Sequence, residues 1–169
     1  MIQTNFNEIE NDSYPDGDFY VYVFRHGDDI LYVGESIYAP SRVWEHFHKR
    51  RSNSHLSNVI DFIGRENIIV DLYEPNEIAA HCNKMNWAIV QSVEYDMPLS
   101  DCISMEAKDS RKDFESYLIY TLSPLCNASG KKSDPEKVMQ VSNKYNNGGI
   151  ANEGMFFRTF TKESKLNGT

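Results

Sequence analysis

Two tyrosines, an arginine, a histidine and one isolated glutamate stand at spacings in this chain that could serve a single chemistry. Tyr22 lies in the run Phe19-Tyr20-Val21-Tyr22-Val23-Phe24, and Tyr32 in Leu31-Tyr32-Val33-Gly34. Arg42 and His46 follow four residues apart, and Glu115 comes much later. A phenol can hold a water nucleophile, or take its proton when nearby charge lowers the phenol pKa from about 10. The flat fork of Arg42 matches phosphate oxygens and stabilises negative charge as it builds. His46 could orient a tyrosine or relay a proton. Glu115 falls with Leu118, Ile119 and Leu122 on the apolar side of a helical wheel. A carboxylate there is costly unless it is paired or holds a cation, and Mg²⁺ needs only one or two protein carboxylates because it keeps several waters. Each residue alone has an ordinary reading as a packing tyrosine, a surface arginine or a hydrogen-bonded histidine. Together they are the types that phosphodiester hydrolysis requires.

These side chains need a scaffold. Residues 19–25 are β-branched and aromatic and read as a strand with Tyr20 and Tyr22 on one face; Gly27-Asp28-Asp29 turns the chain, and residues 30–33 return as its hairpin partner. Gly34 then gives the backbone a tight exit. A helix opens at Pro40-Ser41, with Ser41 as its cap and Val43, Trp44 and Phe47 as its apolar stripe, so Arg42 and His46 stack on one side. A second helix over 54–63 stops at Gly64, and a strand follows over 68–73. The order so far is β-β-α-α-β, an α+β arrangement with a small mixed or antiparallel sheet flanked by helices.

Beyond it, residues 76–93 show partial helical periodicity that Met97-Pro98 breaks. Ser110-Arg111-Lys112-Asp113 reads as a capping box opening a helix to 122, which Ser123-Pro124 ends. Three regions result: an acidic arm over 1–18, loose through residue 16; a domain over 19–128 with an insertion at about 74–109; and an extension over 129–169 with an apolar patch at Met155-Phe156-Phe157.

The chain is 40% hydrophobic and 12% aromatic, enough for a core and too much for disorder. No apolar run reaches membrane-span length and no leader pattern is visible, so a cytoplasmic protein is expected. Cys82, Cys102 and Cys126 are widely spaced with no Cys-x-x-Cys pair, which fits a reducing compartment and not a zinc site. The net charge of −8 looks unfavourable for a nucleic-acid partner. However, residues 1–18 hold five acids and no Lys or Arg, whereas Arg42, His46, His48, Lys49, Arg50 and Arg51 face one acid, Glu45. A local basic stretch of this kind can bind phosphates on an acidic protein.

Tyr20-Val21-Tyr22, then Tyr32-Val33-Gly34, then Arg42 eight residues past the glycine and His46 four further, resembles the GIY-YIG nuclease family. The later Glu115, Pro124 and Asn127 match that family's glutamate, proline and asparagine. The resemblance covers about residues 19–73 and 110–128, roughly half of the chain. It implies a metal-dependent endonuclease that cuts DNA, of a compact restriction or phage type, with a homodimer if both strands are cut. Glu115 would bind one divalent metal, Mg²⁺ or Mn²⁺, and Arg42 would steady the phosphorane-like charge. Tyr22, Tyr32 or His46 would accept the proton, with Tyr20 the alternative to Tyr22 as first-motif tyrosine. Lys49, Arg50, Arg51 and Asn127 join Arg42 as expected DNA contacts, and Gly34 is the motif glycine. Two departures stand out: the first motif lacks glycine, and Glu35 follows Gly34 where many relatives carry lysine. A binding protein of the same fold that no longer cuts is the alternative those departures suggest.

Overall fold

The computed structural model describes residues 1–52 and 54–127. Their fold is α+β, built on a four-stranded antiparallel sheet in the order β1-β4-β2-β3. The strands are β1 (Ile2–Asn5), β2 (Val21–His26), β3 (Asp29–Glu35) and β4 (Ile69–Tyr73). Six helices accompany them: α1 (Phe6–Glu10), α2 (Ala39–Phe47), α3 (Ser54–Ile63), α4 (Pro75–His81), α5 (Met85–Glu94) and α6 (Leu99–Leu122). No helix among the described residues is long and apolar enough to cross a membrane. The extension expected over 129–169, with its Met155-Phe156-Phe157 patch, lies outside the described residues, as does residue 128.

Strand β2 is buried on both sides from Val21 to Phe24, where its sequence is apolar and aromatic throughout. Tyr22 and Phe24 point into a core with Val43 and Phe47 of α2 and Leu56 and Ile60 of α3. Val21 and Val23 point the other way, against Ile78 of α4 and Phe114, Leu118 and Ile119 of α6. The hairpin register pairs Tyr22 with Gly34 and Phe24 with Tyr32, and shifts beyond Phe24 so that Arg25 meets Ile30. Period-two alternation therefore sets Tyr22, Tyr32 and Gly34 on one face.

Edge strand β3 is covered by the segment after α6. Leu125 and Cys126 donate their amides to the carbonyls of Ile30 and Leu31, and the Asn127 side chain both accepts from Val33 N (2.9 Å) and donates to Val33 O (2.8 Å). The carboxamide thus imitates a backbone partner on an otherwise open edge.

Four expectations change. Residues 2–10 are not a loose arm: β1 pairs with β4 through Ile2↔Leu72 to Asn5↔Ile69, Asn5 caps α1 by accepting from Glu8 N, and Phe6 packs edge-on against Phe47. Apolar Ile2, Phe6 and Ile9 outweigh the acidic composition there, because three anchors suffice to bury a short segment. Ser41 lies inside α2, whose N-cap Tyr38 makes no side-chain cap bond; Pro40 fits at the helix start because its missing N–H is one the first turn leaves unpaired. The helix expected over 76–93 divides at Asn83, which takes a left-handed conformation (φ 57°) between α4 and α5. Finally, α6 begins directly after Pro98 and runs unbroken to Leu122, with Ser110 buried in its middle and Ser123 (φ 49°) closing it. Pro98 is the N-cap residue, in a non-helical conformation (ψ 134°), so the helix starts at Leu99 and Ser110 has no free first turn to cap.

Deleting residues 1–11 tests the corrected arm. The truncated chain is expected to lose roughly 3 kcal/mol in urea denaturation, since it exposes the β4 edge and removes buried Ile9. An unchanged midpoint would mean the segment is a loose arm after all.

Candidate functional site

Gly34 sits directly opposite Tyr22, and the tyrosine ring lies across it. A Cβ added at Gly34 would collide with the Tyr22 hydroxyl and Cζ and would stand 2.8 Å from Cε2. The ring cannot swing aside, because Tyr22 is fully buried. Glycine is needed here for close approach between side chain and backbone.

The Tyr22 hydroxyl meets His46 Nε2 at 2.9 Å, and His46 Nδ1 meets Ser52 Oγ at 3.0 Å. Burial pushes the Tyr22 phenol well above its usual pKa, with the Tyr32 phenol adding to the rise and Arg42 opposing it. Burial also lowers His46 to about 3, helped by the Arg42 charge. At neutral pH the pair is therefore an un-ionised phenol and a neutral imidazole. A neutral ring has one donor nitrogen and one acceptor, so a proton can be held at either end of the Tyr22–His46–Ser52 chain.

Tyr32 is only half-buried, and its ring centroid is 5.1 Å from that of His46 and 6.3 Å from that of Tyr22. Burial raises its pKa, the Glu115 charge raises it further, and Arg42 counteracts both. Glu115 and Arg42 thus act on both phenols, although Glu115 stands on α6 and Arg42 on α2. The site is assembled where β2, β3, α2 and α6 converge.

Arg42 is held by its surroundings. Its Nη1 donates to Glu45 Oε2 at 2.6 Å, and Nη2 donates to the carbonyl of Arg51. Burial is the largest single influence and disfavours its charge, but the Glu45 hydrogen bond, the Glu45 charge and the Tyr22 and Tyr32 phenols together outweigh it and raise its pKa. The loop after α2 owes its shape to two non-glycine residues in the left-handed region, Lys49 (φ 56°) and Arg51 (φ 51°). That backbone is strained, and it turns a carbonyl onto Arg42 and Ser52 onto His46.

The basic stretch is divided rather than uniform. Lys49 pairs with Asp61 at 2.7 Å, Arg50 lies over the Trp44 ring at 5.0 Å, and Arg51 is exposed. Asn127 spends both ends of its carboxamide on Val33, so it acts as a clamp on β3 rather than as a free phosphate donor. Tyr20 leaves the set: it precedes β2, packs with Val21 and Val23 on the opposite side from Tyr22, and bonds Ser104 on α6 at 2.5 Å. The shared-face expectation failed because the strand starts only at Val21, so alternation does not extend back to Tyr20.

Three partners were not anticipated from sequence: Ser52 on His46, Glu45 on Arg42, and Arg111 on Glu35. Arg111 Nε donates to Glu35 Oε2 at 2.7 Å, so the acid after Gly34 is neutralised across 76 residues of chain. The signal for Arg111 was present, since it stands four residues before Glu115 on one helix face.

Glu115 is buried on the apolar side of α6, as its wheel position required. Among the described residues no three His, Cys, Asp or Glu side chains cluster as a metal-ligand set. Glu115 therefore offers a single carboxylate, and holding a hard cation that keeps its waters takes one or two. No family model, no curated protein and no solved structure matches this chain.

Two measurements test this geometry. Gly34→Ala is expected to cost about 2 kcal/mol and to displace the Tyr22 ring, seen as a changed near-ultraviolet tyrosine signal. His46 gives a pH signature. Above about pH 7 it is neutral whether folded or unfolded. As pH falls below 6.5, the unfolded chain takes up a proton that the folded site refuses until about 3. Stability is therefore lost progressively between pH 6.5 and 3, by a total on the order of 5 kcal/mol. Thermal melts should show His46→Gln losing less than the wild type between pH 6.5 and 5, where few carboxylates titrate.

Proposed function

We propose that this chain hydrolyses phosphodiester bonds in DNA, as a metal-dependent endonuclease of GIY-YIG type. The observation that carries the reading is Tyr22 laid over Gly34 and bonded to His46, with the Tyr32 ring beside them and the charges of Arg42 and Glu115 acting on both phenols, from elements up to 93 residues apart in the chain. A structural role alone would not require a glycine under a buried tyrosine, a histidine held un-ionised beside it and a buried glutamate acting on the same phenols.

In this proposal Tyr32, the phenol with access to solvent, orients the attacking water. The proton enters a relay: the un-ionised Tyr22 hydroxyl accepts it while giving its own proton to His46 Nε2, the imidazole nitrogen it is bonded to, and the bound phosphate's negative charge favours the imidazolium that forms. A phosphate approaching Arg42 competes with Glu45 and the Arg51 carbonyl for the guanidinium, and the fork then stabilises charge on the phosphoryl oxygens. Glu115 is the residue that would hold Mg²⁺ or Mn²⁺, which supplies Lewis-acid stabilisation of the leaving oxygen when bound. The Arg111–Glu35 pair answers the electrostatic objection to an acid beside the phosphate, since a neutralised carboxylate repels less. This weakens the case for a protein that binds nucleic acid without cutting it.

Supercoiled plasmid with Mg²⁺ or Mn²⁺ is expected to be nicked or linearised, and EDTA should abolish this. Arg42→Ala and Glu115→Ala should each lose at least about 10²-fold in rate, with Arg42→Lys recovering little because an ammonium lacks the flat fork. Wild-type protein that shifts DNA but leaves it intact with either metal would establish the non-cutting alternative.

A further inference from the structure

Helix α5 turns its apolar side outward. Along Met85–Glu94 only Ala88 is buried, while Trp87 (61% exposed), Ile89 (47%), Val90 (56%) and Val93 (80%) face away from α6. A surface helix normally presents its polar side to water. Its inward side is a small cluster, Ala88 and Met85 against Ala79, Cys102 and Ile103, beside which Gln91 donates to Glu106 at 2.9 Å. From Met85 to Val93 the helix carries no charged side chain, in a chain of net charge −8.

We propose that this face is a self-association surface, joining two copies of the chain through antiparallel α5 helices across a twofold axis near Val90. Charge and area both favour a second copy as the occupant. An antiparallel pairing centred on Val90 sets Trp87 against Val93 of the second copy and brings Lys84 to the acidic end, Glu94 and Asp96. Both copies are acidic, so a stable contact must lie where repelling charge is absent, and α5 is such a place. The four apolar side chains expose on the order of 450 Å² per copy, and Lys84, Asn86 and Glu94 around them bring the face towards the ~800 Å² per partner of a stable interface. DNA is the poorer occupant, because phosphate binding needs cations and α5 from Met85 to Glu94 has none. The assignment does not depend on the chemistry proposed for the Tyr22–Glu115 site.

Sedimentation velocity of the full chain from about 1 to 100 µM tests it, spanning association free energies near those of micromolar complexes. A dimer is expected, and Val93→Glu should weaken it at least about 100-fold by burying an unpaired charge. Val93 is mostly exposed, so the variant should keep the wild-type circular dichroism and melting temperature. Val90→Cys should form a disulfide-linked dimer on mild oxidation, whereas Lys112→Cys, exposed on α6, should not. A wild-type monomer over the whole range would overturn the proposal, as would a dimer indifferent to Val93→Glu or lacking the Val90→Cys cross-link. Monomers that bind neutral phosphatidylcholine vesicles through Trp87 would instead assign the face to a lipid surface.

Discussion

The contact of a fully buried tyrosine ring with a side-chain-free backbone, Tyr22 on Gly34, is the constraint around which this molecule is arranged. It places a phenolic hydroxyl inside an apolar core, where an unmet hydroxyl would cost on the order of 2 kcal/mol. His46 meets it, and His46 must then be buried as well, so Ser52 is required on the far ring nitrogen. Bringing Ser52 there takes a loop with two residues in left-handed conformations, and the same loop turns the Arg51 carbonyl onto Arg42. One close approach in the sheet thus propagates through hydrogen-bond requirements to the arginine at the site's rim.

Charge is handled with comparable economy. The acids of the N-terminal segment do not form a free negative arm: Glu10 bonds His48 at 2.6 Å, and Glu8 accepts from Thr4 at 2.8 Å. Glu35 is met by Arg111, Lys49 by Asp61, and Arg42 by Glu45. The half-exposed pairs contribute little to stability. Their consequence is positional: Glu35–Arg111 ties β3 to α6 and Lys49–Asp61 ties the loop after α2 to α3, while Arg42–Glu45, within α2, sets the direction of the guanidinium. Arg111 and Glu115 share a face of α6, so the Glu35 pair fixes β3 against the turn of helix that carries the glutamate.

Local signals recovered much of the fold. The hairpin was legible from β-branched and aromatic residues around Gly27-Asp28-Asp29, and α3 from its apolar spacing and Gly64, whose positive φ of 89° follows the helix. The side of α6 that buries Glu115 followed from helical spacing alone. Where local reading failed, a longer-range contact prevailed. Ile2 to Asn5 form a strand only because β4 offers an edge to pair with, and Ser110 sits mid-helix because the Pro98 start precedes it. Asn127 looked like a ligand until Val33 was seen to take both ends of its amide.

Sequence by itself determined which residue types could act and the periodicities that share them among faces: Tyr32 with Gly34 by strand alternation, and Arg42 with His46 by helical spacing. These are properties of the backbone repeat, which depends on neighbours a few residues away. Only the tertiary structure decided which faces meet. Tyr20 turned away to Ser104, Glu115 came within electrostatic reach of two phenols, Arg111 neutralised Glu35, and the other described residues left the apolar side of α5 uncovered. Each outcome depends on contacts between segments distant in the chain, selected by burial and by the need to satisfy buried polar groups, and spacing within a segment carries no record of them.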